Sequence, residues 1–117
     1  NLYKNLDIAL DTFPYNGVTT TFEALWMGVP VIGIKGYNFN SRCGESILKN
    51  ANLKSLISED KNDYVKKAID LSKNINELIT LKHNIFKNIL RSPIFDSKIF
   101  AKNFGNLLMD VYKKINK

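Results

Sequence analysis

Two short apolar runs, residues 6–10 (Leu6, Ile8, Ala9 and Leu10) and 29–34, flank a turn and a helix-period segment. That spacing admits a strand–helix–strand unit and little else. Short uninterrupted apolar runs suit strands covered on both faces, as in a parallel sheet. The second run is β-branched at Val29, Val31, Ile32 and Ile34, which strengthens the assignment. Between the runs, Phe13-Pro14-Tyr15-Asn16-Gly17 concentrates turn formers, and Asn-Gly favours a positive φ. Residues 20–27 then place Phe22, Leu25 and Trp26, with Val29 beyond, on one side of a helix that Gly28 and Pro30 stop. Such βαβ crossovers are right-handed almost without exception. Ligands of these sheets bind beyond the carboxyl ends of the strands, so a site is expected on residues 12–21 and 35–42.

The strand–helix–strand part covers about residues 6–34, and the chain from about 41 to 117 reads as helical. Tyr64, Val65, Ala68, Ile69 and Leu71 predict a helix over 60–73; Leu78, Leu81, Ile85 and Ile89 predict another over 75–91, ended by Ser92-Pro93. Asp96 is an N-cap candidate for a last helix. Its Phe100, Phe104, Leu107, Leu108, Val111 and Ile115 form a 3.6-residue stripe assigned to the core.

Composition removes several classes. One cysteine, Cys43, and one histidine, His83, cannot build a disulfide framework, a zinc finger or a local Cys/His catalytic pair. No apolar run approaches the ~18 residues of a membrane span, and the polar first residues are not signal-like, so a cytoplasmic protein is expected. The chain opens on Asn1 directly before a strand, as a piece of a longer protein does. The net charge of +6 raises nucleic acid as a partner, but its placement argues against one. Up to residue 45, Lys4, Lys35 and Arg42 face Asp7, Asp11, Glu23 and Glu45; the remaining basic residues are nearly all lysines spread along helices without arginine or aromatic clusters. They read as a solvated surface.

The segment with chemistry in it is Asn16-Gly17-Val18-Thr19-Thr20-Thr21-Phe22-Glu23. It sets a glycine and three hydroxyl residues at the start of a helix that follows a parallel strand. Helix-start amides are unpaired and carry partial positive charge, which suits a diphosphate, with Gly17 allowing close approach and the threonines adding donors. Thr20-x-x-Glu23 is equally a capping box needing no ligand, and spacing alone does not choose between the two. Neither GxGxxG nor GxxxxGK[ST] occurs.

These residues carry a resemblance. Asp7-Ile-Ala-Leu-Asp-Thr-Phe-Pro-Tyr-Asn-Gly17, Thr19-Thr-Thr-Phe-Glu-Ala-Leu-Trp-Met-Gly-Val-Pro30, Ser41-Arg42 and Ser92-Pro-Ile-Phe-Asp96 resemble the carboxyl-terminal part of the catalytic region of the O-GlcNAc transferase and SPINDLY family, family 41 of the glycosyltransferases. The resemblance implies an α/β fold. The chain would be the C-terminal portion of a Rossmann-like (GT-B type) nucleotide-binding domain with parallel strands and a helical C-terminal half, residues 1–117 being one partial donor-binding domain. It further implies inverting, metal-independent transfer of a sugar from a nucleotide donor, UDP-GlcNAc, to Ser or Thr of an acceptor protein, with no cofactor. An upstream glycosyltransferase domain, and helical repeats before it, would complete the enzyme, and the fragment alone would be inactive.

Carried over by residue, Gly17, Val18, Thr19 and Thr20 would meet the donor diphosphate and Glu23 the ribose hydroxyls. The resemblance names no general base. Animal members have histidine where this chain has Val18, and usually aspartate where it has Glu23. Tyr15 and Arg42 are candidates for the pocket rim. For Tyr15 and Phe13 packing under the turn is the alternative, and for Arg42 an ion pair with Glu45. Cys43 is expected as a small buried residue and His83 at the surface. The rival reading is a non-catalytic nucleotide-sugar binding or interaction module in which Val18 marks lost catalysis. A more distant one is a helical nucleic-acid binder.

Overall fold

The computed structural model describes residues 2–116. A 3-10 turn at Leu2–Asn5 leads into β1 (Ala9–Leu10), α1 (Thr19–Trp26), β2 (Val31–Ile34), α2 (Phe39–Asn50), β3 (Ile57–Ser58), α3 (Lys61–Lys73), α4 (Ile75–Leu90) and α5 (Ser97–Ile115). The strands form one parallel sheet in chain order, β1-β2-β3, with Ala9 opposite Val31, Leu10 opposite Ile32 and Gly33 opposite Ile57. The expected strand–helix–strand unit is present. Its strands are shorter than the apolar runs: Leu6 and Ile8 precede β1, while Val29 and Pro30 are buried ahead of β2 and the Pro30 carbonyl accepts from the Ala9 amide at 2.8 Å.

Every residue of β2 is buried, and α1, α2 and α3 all pack on it. Ile32, Leu25, Leu48, Ile85 and Ile89 make the centre of a single core, to which α4 contributes one stripe through Leu78, Ile85 and Ile89. Gly28 adopts φ 76° after α1, as a helix-ending glycine does. Asp60, Asn74 and Asp96 cap the three following helices through their side chains. Near the start of α2, Asn38 and Ser41 form a reciprocal capping box.

The structure corrects three expectations. The stretch expected to be helical from about residue 41 is interrupted at Ile57–Ser58, where β3 continues the parallel sheet; a two-residue strand leaves no periodicity to detect. The helix expected from 41 begins at Phe39. Most consequentially, the α5 stripe is not core: Phe100 is 67% and Ile115 76% exposed, and no residue of the helix is buried among the described residues. α5 leaves the body after the short turn Pro93–Phe95 and makes its main contacts there. An amphipathic pattern reports that a face is apolar, not what covers it.

Glu45 on α2 is 2% exposed and is held by Arg42 Nε at 3.1 Å and by Lys49 Nζ. The Lys49 hydrogen bond, then that of Arg42, outweighs burial and lowers its pKa. A carboxyl whose folded pKa is lowered stabilises the fold above its unfolded value and loses that contribution as pH falls through the folded one. Glu45→Gln is therefore expected to cost about 1.5 kcal/mol at pH 7 and to flatten the fall in stability below about pH 4.3. Thermal melts across pH 3–7 check both; an unchanged acid limb contradicts the assignment.

Candidate functional site

The turn after β1 is built on a buried carboxylate. Asp11 is 9% exposed, and its Oδ1 accepts from the amides of Thr12 at 3.0 Å and Gly17 at 2.7 Å. Its Oδ2 is buried with no hydrogen-bond partner among the described residues. Burial raises the Asp11 pKa, opposed by the hydrogen bonds from Gly17 and Thr12. From α3 the Tyr64 hydroxyl donates to the Asp11 carbonyl at 2.8 Å. Asn16, also buried, donates from Nδ2 to the Thr12 carbonyl at 2.8 Å, and its Oδ1 accepts from the Gly44 amide at 3.2 Å. The Phe13-Pro14 peptide in this turn is cis.

The turn delivers the start of α1. Val18 is the N-cap, and no side chain caps the helix. Thr19 and Thr20 stand exposed on its first turn, whereas Thr21 is buried with its hydroxyl donating to the Gly17 carbonyl at 3.0 Å. The capping box predicted as one alternative does not form. The helix starts one residue before Thr20, which puts that hydroxyl inside the first turn, and the Glu23 carboxylate instead accepts from the Tyr3 hydroxyl at 3.0 Å. Helix-start amides with no capping side chain, beside free hydroxyls, form an anion-attracting end.

Gly17 does not adopt the positive φ that Asn-Gly suggests. It is needed for space, since a Cβ there would collide with the Thr20 hydroxyl and crowd Asp11 and Thr21. Its amide is already spent on Asp11, so close approach at Gly17 does not supply that donor to a ligand.

The predicted rim residues separate. A groove of about 560 Å³ between the starts of α1 and α2 is lined by Val18, Tyr37, Asn38, Phe39, Arg42 and Cys43, among others. Thus Val18 and Arg42 share one groove, with Arg42 also in its expected ion pair to Glu45. Gly17 and Thr20 line a smaller hollow of about 160 Å³ on the β1 side, with Tyr3, Asp11 and Thr12. Tyr15 is 72% exposed and lines neither, which corrects the expectation that it packs under the turn. Phe13 lies edge-on to Tyr37. Cys43 is half-buried and His83 exposed.

Sequence reasoning passed over Asp11, Asn16, Gly44 and Tyr64. A carboxylate ending an apolar strand was the one local signal for them. Among the described residues, no group of three or more His, Cys, Asp or Glu could hold a metal, and no helix is long and apolar enough to cross a membrane.

A parallel sheet in chain order, with an uncapped helix start and two loops at the carboxyl ends of its strands, defines a Rossmann-like α/β unit. The chain belongs to glycosyl transferase family 41, whose family model matches residues 4–104. It is 34% identical over 112 residues, 96% of the chain, to a Solanum lycopersicum protein described as "Probable UDP-N-acetylglucosamine--peptide N-acetylglucosaminyltransferase SPINDLY". A Giardia intestinalis UDP-N-acetylglucosamine--peptide N-acetylglucosaminyltransferase is 32% identical over 95% of the chain. An O-GlcNAc transferase mutant of Thermobaculum terrenum superposes with a TM-score of 0.82 at 34% identity, over 96% of this chain and 21% of that one. The chain spans 12% of the length of the tomato relative and 7% of that of the Giardia relative.

Proposed function

We propose that this chain is the donor-binding segment of a protein O-glycosyltransferase that uses a nucleotide sugar, UDP-GlcNAc, and modifies Ser or Thr of other proteins by inverting, metal-independent transfer. The observation that carries the reading is the start of α1. Its N-cap is a valine with no capping side chain, and Thr19 and Thr20 lie free beside it in a family 41 chain. A diphosphate there would accept from the Val18, Thr19 and Thr20 amides and from the two hydroxyls. As the glycosidic bond to the nucleotide breaks, negative charge grows on the diphosphate, and fixed donors that strengthen with that charge lower the barrier without a metal. Glu23, oriented by Tyr3, would accept from both ribose hydroxyls, and Arg42, on the groove wall with Val18, would border the donor, whereas Tyr15 lines neither cavity. The acceptor site and the general base belong to the remainder of a longer protein, placed by this reading in the cytoplasm.

A second reading, a non-catalytic nucleotide-sugar binding module, is favoured by one observation: the side chain of Val18, on the groove wall, has no polar group to offer a phosphate. Calorimetric titration of the complete protein with UDP and with GDP tests the site. Saturable binding of one nucleotide is expected, and binding of neither overturns it. Transfer of labelled sugar to a peptide library by the same protein separates enzyme from module.

A further inference from the structure

We propose that Asp11 and Asn16 are positioning residues for the donor diphosphate, locking the turn of residues 11–17 between β1 and α2 so that the start of α1 keeps one orientation. The inference rests on the donor-site reading above. Its first support is the ring closed by Asp11. One carboxylate oxygen takes the amides of Thr12 and Gly17, the two ends of the turn, and so directs the Gly17 amide inward. The amides that follow in the chain, from Val18 on, are the ones left for a ligand.

The second support is how the ring is fastened. The Asn16 amide donates to the Asn40 carbonyl at 3.2 Å, and the Asn16 Oδ1 accepts from the Gly44 amide at 3.2 Å. Those two α2 groups stand four residues apart, the pair an α-helix joins to each other. Asn16 therefore grips the ladder of α2 itself, on the helix whose Arg42 lines the same groove as Val18.

The third support is a local cost borne at the same residue. The second Asp11 oxygen is buried without a partner. Room for it exists because residue 44 is glycine: a Cβ there would collide with that oxygen. An apolar side chain would fill such a space more favourably, and an unsatisfied buried group calls for a reason. Holding both ends of the turn with one acceptor is that reason, and Tyr64 braces the same residue from α3.

The test uses the complete protein and compares the nucleoside diphosphate that binds, UDP or GDP, with its nucleoside. Asp11→Ala is expected to weaken the diphosphate at least tenfold and the nucleoside less than threefold. Asp11→Asn, which keeps an acceptor in place of Oδ1, should restore the diphosphate to within threefold. Unchanged diphosphate affinity in Asp11→Ala, or parallel loss of both ligands, overturns the proposal and leaves Asp11 a folding residue. Should Asp11→Ala not fold, Asn16→Ala carries the same comparison: selective loss of the diphosphate supports the positioning role, and unchanged or parallel affinities overturn it. If the unsubstituted protein binds neither UDP nor GDP, the donor-site reading has failed first, and the positioning role falls with it.

Discussion

Replacing Thr19 and Thr20 together with valine is expected to weaken nucleoside diphosphate binding by the complete protein about 100-fold. Valine has the shape of threonine without the hydroxyl, and both positions are exposed on the first turn of α1, so the fold has nothing to lose. Hydrogen bonds to a charged acceptor contribute about 1.5–3 kcal/mol each, and two at the lower figure give roughly 3 kcal/mol, a little over two powers of ten. Binding should persist at the reduced level, because the helix-start amides remain. Titration calorimetry reads the affinity and a thermal melt confirms the fold. An affinity within threefold of the unsubstituted protein would remove these threonines from the site.

Ile32→Ala should cost about 3 kcal/mol of stability. Ile32 is fully buried at the middle of the central strand, opposite Leu10, and its carbonyl accepts from the Asp11 amide at 2.9 Å. Deleting its side-chain atoms removes apolar burial and leaves a cavity in the core beside β2, while the backbone bond to Asp11 survives. Ile32→Val removes a single methyl group and should cost about 1 kcal/mol. The graded pair, followed by melting temperature, distinguishes packing from a backbone effect: equal losses in both variants would contradict this account.

What could be read from residues alone was what lies close along the chain. The βαβ unit was legible because two short apolar runs with a turn and a helix stop between them have few other solutions. Asp96 was legible as a cap for the same local reason. The fate of Thr20 and Glu23 was not, since the spacing of a capping box is identical whether the helix starts at Thr20 or one residue earlier; contact between Tyr3 and Glu23, twenty positions apart, accompanies the second arrangement. Asp11 escaped notice because one of its partners, Tyr64, is 53 residues away, and the glycine that makes room for it lies on another helix. β3 is two residues long and pairs through its backbone, which no side-chain pattern records.

α5 raises a question of helix–coil balance. An isolated helix needs about 12–15 residues of strong formers even to be marginal in water, and this one has 19 residues, with Gly105 within it. Its Asp96 cap accepts from the amides of Lys98 and Ile99, yet among the described residues its apolar stripe has no cover. Little packing energy therefore holds its far turns in register. Whatever surface comes to lie against Phe104, Leu107 and Val111 would supply that energy, so for this helix ordering and docking become a single event.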